Sequence, residues 1–287
     1  MQPINAQDWA GELPALITGM PNADYHGADG YSASGLKLIE RSPAHYAHAG
    51  DRQPSRAMQI GSAIHCALLE PERFEADYVC SGTADRRASE YKQAVKARGT
   101  DEFVLTQPEW DKVIGMQAAA YANPDAREVL ECPGHEELSV FAKDPETGLT
   151  TKCRPDKLAH YYSGHVIADV KKCQDARPEE FAKSVSRYGY DLAAGHYIDT
   201  YEAATGLKVY NYLLIAVEEE PPHGVKVYQL PEEWIDYGRQ RRDSALKQAE
   251  QCDRIDSWPA YPEGVDVLMP PGWIAHQIEE SVTEEIY

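Results

Sequence analysis

Asp156, Asp169 and Lys171 are the residues of this chain whose types and spacing could do chemistry. The two acids stand thirteen residues apart, a separation that fits a hairpin, and Lys171 follows Asp169 by two. Side chains alternate along a strand, so Asp169 and Lys171 share one face while Val170 points into a core. If the strands bearing Asp156 and Asp169 pair, two carboxylates and one ammonium converge at a sheet edge. Such a group suits a hard divalent cation and a water molecule held for attack. Plainer roles exist: a strand-surface Asp169, a turn-forming Asp156 after Pro155, a solvated Lys171. Asp is disfavoured in strands, however, and Asp169 lies between Ala168 and Val170, which favours the chemical reading. Lys172, on the opposite face, is expected to be merely solvated.

The elements that must position these groups follow from pattern. Apolar-rich runs at 136–142, 149–158 and 166–172, separated by turns at 144–148 and around Ser163-Gly164, predict three consecutive strands. Before them, Ser32-Ala33-Ser34 predicts a helix cap, Pro43 an interruption, and 57–69 a helix with His65 within it. Residues 1–30 read as mixed and loop-like, and 51–56 as a polar link. Short strands are expected at 78–80 and 103–105, with a basic helix at 85–98 between them. Thr106-Gln107-Pro108-Glu109 is a capping box opening a helix to about Ala122. After the strands come helices from Pro178 and from Tyr190 to Thr205, strands at 209–217 and 225–230, and a helix from Glu232 to about Arg254. This order predicts one α/β domain with a mixed central sheet flanked by helices. Its expected parts are a helical N-terminal segment (1–57), a core with its C-terminal helix (58–255) and a surface tail (256–287).

Bulk properties set bounds. The 287 residues are 43% hydrophobic, with a mean hydropathy of -0.56. That predicts a soluble globular chain, given roughly 150 residues per domain. No apolar run approaches the ~18 residues of a membrane span, and the N-terminus predicts no secretory signal. The six cysteines are scattered without a CxxC pair, which predicts reduced thiols in a cytoplasm and argues against zinc or iron–sulfur sites. The net charge of -19 argues against a simple basic DNA-coating protein but leaves room for a local basic groove.

Asp156 followed by Asp169-Val170-Lys171 resembles the D and D-x-K of the PD-(D/E)xK nuclease signature. Gly61-Ser62-Ala63-Ile64-His65 resembles the G-x-x-x-H helix of its RecB-like and RecE-like branch, and Ser32-Ala33-Ser34-Gly35-Leu36 with Ser42-Pro43 that branch's opening segments. Residues 190–201 resemble the Y-x-x-Q-A-A-x-Y helix of RecE. A D-x-K alone is weak. The ordered set, from about Ser32 to Val217, is similar to the RecE-type exonuclease (exodeoxyribonuclease VIII) of phages and prophages. Two positions depart from the pattern. Ser42 stands where cluster-bearing members have a cysteine ligand, so no iron–sulfur cluster is expected. Ala193 stands where the glutamine is expected, shifting its role to Tyr190, His196 or Tyr197.

The resemblance implies a restriction-endonuclease-like core and Mg²⁺, with Mn²⁺ able to substitute. Asp156, Asp169, His65 and the carbonyl of Val170 would hold the metal, and Lys171 would orient water. On an apolar helix a lone His is more often a satisfied core residue; the G-x-x-x-H context favours a ligand. Glu137 is a weaker candidate, since Glu136 is equally available. Tyr190 and Tyr197 share a helical face, for core packing or DNA contact. Ser34 could bind a phosphate or simply cap its helix. The activity implied is digestion of duplex DNA ends, 5' to 3', in a bacterial or phage-infected cytoplasm. A ring-shaped homo-oligomer and a RecT-like single-strand annealing partner are implied with it. The rivals are a PD-(D/E)xK endonuclease of restriction or repair type and a catalytically silent DNA-end-binding scaffold.

Overall fold

In the computed structural model, which describes residues 1–50, 55–162, 164–272, 274–275 and 277, two main sheets and a short two-stranded pair share one chain. The N-terminal part holds β1 (Ile4–Asn5), β2 (Ala15–Thr18), α1 (Asn22–Gly27), α2 (Ala33–Arg41) and α3 (Pro43–Ala47). Then come α4 (Arg56–Leu69), α5 (Pro71–Asp77), β3 (Val79–Cys80), α6 (Ser89–Arg98), β4 (Val104–Leu105), α7 (Gln107–Ala122) and α8 (Pro124–Glu131). The core strands are β5 (Gly134–Glu136), β6 (Ser139–Lys143), β7 (Thr150–Cys153), β8 (Lys157–Tyr161) and β9 (Gly164–Cys173). The chain continues through α9 (Pro178–Tyr188), α10 (Tyr190–Thr205), β10 (Val209–Glu218), β11 (Val225–Gln229) and α11 (Glu232–Ile255).

The larger sheet has the order β11-β10-β9-β8-β5 and is mixed: β9 and β10 run parallel, the other neighbours antiparallel. Central β9 is buried on both faces, which is why 166–170 reads as a nearly continuous apolar run. On one face Leu158, Ile167, Tyr212 and Leu214 pack against Phe181 of α9 and Ile198 of α10. On the other, Ala168, Val170 and Ile215 meet Ile64 of α4 and Met116 of α7. The mixed sheet flanked by helices is the expected architecture. α11 crosses α10 where Gly195 and Gly238 meet: a Cβ at 238 would fall 2.0 Å from the Asp191 carbonyl oxygen, and one at 195 would fall 2.8 Å from the Arg239 nitrogen.

Four expectations need correction. The run 149–158 is not one strand: it divides at Arg154-Pro155-Asp156 into β7 and β8, which belong to different sheets. Pro155 has no N–H for a ladder, and the chain changes sheets there. The N-terminal segment is not purely helical, because β2 pairs antiparallel with β6 and β1 pairs with β2 in the smaller sheet, β1-β2-β6-β7. The basic helix starts at Ser89, because Asp85 accepts from the Arg87 N–H and holds a turn. The cap of α2 is Ser32, whose Oγ accepts from the Gly35 N–H at 3.3 Å, and not Ser34. Part of the polar link (51–54), Ser163 and most of the tail beyond 272 lie outside the described residues.

Candidate active site

Between β5 and β8 the chain crosses between the two main sheets twice, and an acid stands at each of these crossings. Glu137 links β5 to β6, and Asp156 links β7 to β8. Glu137 adopts a left-handed backbone, φ 48°, a strained conformation for a non-glycine residue. The Glu137 N–H donates to the Asp156 carbonyl at 3.1 Å, which ties the two crossings together. Because β8 begins only at Lys157, the β9 edge beyond Ala168 has no strand partner on that side. The Val170 N–H fills the gap by donating to Asp156 Oδ2 at 2.7 Å. In an extended strand a residue's C=O points to the same side as its N–H, so the Val170 carbonyl is also directed toward this edge.

α4 brings His65 against this corner, with Nδ1 3.3 Å from Asp156 Oδ1. One ligand atom each from His65, Glu137 and Asp156 lies within 4.8 Å of the others. Glu136 lines the same cavity but is held in an ion pair with Lys157 at 2.5 Å, and Glu137 is the acid in the cluster. Asp169 is held differently. Its Oδ2 accepts from the Tyr212 hydroxyl at 2.5 Å and lies 3.0 Å from Lys171 Nζ; its Oδ1 is 3.5 Å from the Asp156 nitrogen. Asp169 therefore links the cluster to Lys171. Lys172, on the opposite face, pairs with Glu219 away from the site.

The electrostatics follow from burial and neighbours. Burial, then the Asp156 charge, pushes the Glu137 carboxyl up to about 7. Burial would raise Asp156, but His65, Lys171 and the Val170 N–H hold it below the usual carboxylate range. Burial would lower His65, and the charge and hydrogen bond of Asp156 outweigh it and raise the imidazole. Burial would likewise lower Lys171; Asp169 and Asp156 together raise it, so it stays an ammonium. Burial holds Tyr212 well above the ordinary phenol range, so its O–H remains a donor to Asp169. Burial pushes the Cys66 thiol up to about 11 and that of Cys153 well above its ordinary value, so both are protonated near neutrality.

His65, Glu137, Asp156, Asp169 and Lys171 line one open cavity of about 890 Å³. The donor set is one imidazole with clustered carboxylates and no thiolate. That set fits a hard octahedral cation such as Mg²⁺ or Mn²⁺. Tyr190, Tyr197, Ala193 and Ser34 also line the cavity. The Tyr190 ring lies 5.3 Å from Lys171 Nζ, and Tyr197 packs on Tyr212 at 6.4 Å. Ser34 Oγ is 3.0 Å from Ser32 Oγ. His196 is elsewhere: it is buried, its Nε2 is 3.0 Å from the Lys152 carbonyl, and burial lowers it to about 3. Of the three residues expected to replace the missing glutamine, only the tyrosines reach the cavity. Sequence reasoning missed Tyr212, Lys37 and Arg154. Alternation along β10 would have put Tyr212 on the Asp169 face, but nothing in the sequence marks its hydroxyl as the Asp169 donor.

A sheet switch that presents D and D-x-K at an open edge, flanked by helices, defines the PDDEXK-like class. The chain belongs to the family described as a PDDEXK-like domain of unknown function (DUF3799), matched over residues 32–270. Among solved structures it is similar to a candidate exonuclease from Eubacterium rectale, at 13% identity and a TM-score of 0.53, covering 86% of this chain and 97% of that one. It is more distantly similar to a phage-related exonuclease from Haemophilus somnus 129PT, at 14% identity and a TM-score of 0.34, covering 81% and 99%. An alkaline exonuclease from Laribacter hongkongensis matches at 13% identity and a TM-score of 0.28, covering 65% and 96%. No curated protein matches. The first of these likenesses supports the restriction-endonuclease-like fold. Among the described residues no helix is long and apolar enough to cross a membrane.

Proposed function

We propose that this chain is a divalent-metal-dependent exodeoxyribonuclease that degrades duplex DNA from its ends. The observation that carries the reading is the His65, Glu137 and Asp156 cluster joined through Asp169 to Lys171 in one open cavity. His65, Glu137, Asp156, Asp169 and the Val170 carbonyl would hold the metal. The metal would supply Lewis acidity and lower the pKa of a bound water. Lys171 keeps its proton, so it acts as a fixed positive charge: it orients the attacking water and offsets charge on the phosphoryl oxygens in the transition state. Asp169, gripped by the Tyr212 hydroxyl, keeps the Lys171 ammonium in place. As the water oxygen bonds to phosphorus and gives up a proton to solvent, the bond from phosphorus to the 3' oxygen would break, and that oxygen would leave as a hydroxyl after taking a proton from solvent.

The RecE resemblance supports 5' to 3' polarity, a 3' single-stranded product, and a RecT-like annealing partner in a bacterial or phage-infected cytoplasm. It also supports a ring-shaped homo-oligomer, which would reconcile a net charge of -19 with DNA in a basic channel. The test is digestion of 5'-labelled linear duplex with Mg²⁺ by the wild type, Asp169→Ala, Lys171→Ala and Lys172→Ala. The first two substitutions are expected to cost about 100-fold or more, and Lys172→Ala little. Full activity in Asp169→Ala would remove the mechanism. A nicked circular duplex would turn the assignment to an endonuclease, and stable DNA binding without product to a silent scaffold.

A further inference from the structure

We propose that Lys37 is a substrate-contacting residue of this site, its ammonium binding a phosphate oxygen of the strand being cut, over the Tyr190 ring beside Lys171. The proposal rests on the nuclease reading and adds a residue to it.

Lys37 lies in α2 and lines the same cavity as His65, Asp156, Asp169 and Lys171. The other cations of that wall are already engaged. Arg73 pairs with Glu70 at 2.7 Å and Asp77 at 3.2 Å. Arg154 donates to the Ser139 hydroxyl and the Met20 carbonyl, and Lys171 pairs with Asp169. Lys37 has no hydrogen-bond or ion-pair partner among the described residues.

The nearby carboxylates are taken by others. Arg241 grips Asp191 through both oxygens, at 2.8 and 2.7 Å, and holds Glu40 at 2.7 and 2.6 Å. Asp169 is occupied by Lys171 and Tyr212. Lys37 Nζ stands 6.0 Å from the Tyr190 ring centroid, and Lys171 Nζ stands 5.3 Å from the same centroid. Two ammoniums thus face one ring, while the carboxylates that act on Lys37, Asp169 and Asp191, are already paired with Lys171 and Arg241. Burial, then the Lys171 charge, pushes Lys37 down to about 8, the expected result for a cation short of an anion.

A partly buried cation without a counter-ion is costly, and the fold keeps it. Gly189 is what gives it room: a Cβ there would lie 3.0 Å from Lys37 Cε, and the glycine sits at φ 62°. An anion entering from outside would complete the arrangement. A phosphate has the right charge, and its oxygens can accept from both ammoniums at once.

The test compares wild type, Lys37→Met and Lys37→Arg as full-length chains. Binding of a fluorescent linear duplex is measured in EDTA across 50–200 mM salt, and kcat and KM are measured with Mg²⁺. Lys37→Met is expected to weaken binding by about 5-fold or more and to reduce the slope of log affinity against log salt by about 1. Lys37→Arg should restore most of both. The melting temperature of Lys37→Met should equal or exceed that of the wild type, because a buried unpaired charge is removed; a purely structural lysine would give the opposite. Unchanged affinity, salt slope and kcat/KM in a folded Lys37→Met would overturn the proposal while leaving the nuclease reading intact. A wild type that neither binds nor cuts duplex DNA would overturn both.

Discussion

Glu137→Gln tests the electrostatics of the cluster without involving DNA. In the metal-free protein Glu137 titrates near 7 rather than at its ordinary 4.5, because burial and Asp156 disfavour its charge. Between those two pH values the folded state binds more protons than the unfolded one. The contribution of this group to stability is then full below about 4.5, falls as pH rises, and is lost once pH passes about 7. The difference of two and a half pH units corresponds to about 3 kcal/mol for this one group. A chain of 287 residues has an unfolding entropy that turns this into about 5 °C of melting temperature. Glutamine keeps the shape and removes the charge. In EDTA at pH 8, Glu137→Gln should melt about 5 °C above the wild type; at pH 4.5 the two should nearly coincide. Mg²⁺ should reverse the order at pH 8, since a bound cation stabilises only a folded state that can hold it. The assay is a melting series at both pH values, with EDTA and with Mg²⁺. A Glu137→Gln variant that melts at or below the wild type in EDTA at pH 8 would refute the reasoning.

Three further substitutions probe the supports of the site. Tyr212→Phe removes the donor to Asp169 Oδ2 and should cost about 1–3 kcal/mol in denaturant unfolding, with a clear fall in kcat. Lys152→Met strips the Tyr25, His26 and Ala28 carbonyls of their shared ammonium donor. It should cost about 2–4 kcal/mol, and faster proteolysis near residues 20–30 would report it. Asp144→Ala leaves the buried Arg242 without its main partner and should cost about 3–5 kcal/mol, whereas Asp144→Leu with Arg242→Met should cost much less; chemical melts of both separate a lost pair from a stranded charge.

The central strand was legible because β9 is covered on both faces, so its apolar run and its D-x-K stand out without knowledge of any partner. The helices of the C-terminal half were legible for a similar reason: Pro178, Gly189 and Gly206 mark their ends locally. β2 was not. It is four residues long, and what makes it a strand is pairing with β6, more than a hundred residues away. The break at Pro155 was visible as a residue but not as a change of sheet, because that depends on where β6 and β9 lie. Among the acids, Asp156 and Asp169 could be chosen from spacing. The choice of Glu137 over Glu136 required Lys157 to claim the latter. Lys37 was hidden for the same kind of reason: its isolation arises when Arg241, about two hundred residues on, takes Glu40 and Asp191.

The backbone contact at Gly195 and Gly238 makes α10 a strut with no slack. Gly195 is five residues from Tyr190, about 7.5 Å along the axis. A single methyl at either glycine would have to prise the two helices apart, and the tyrosine beneath Lys171 would travel with the strut. These two positions, which carry no side chain at all, therefore set how far the reaction chamber can deform. Alanine placed there would act as a remote inhibitor written into the chain.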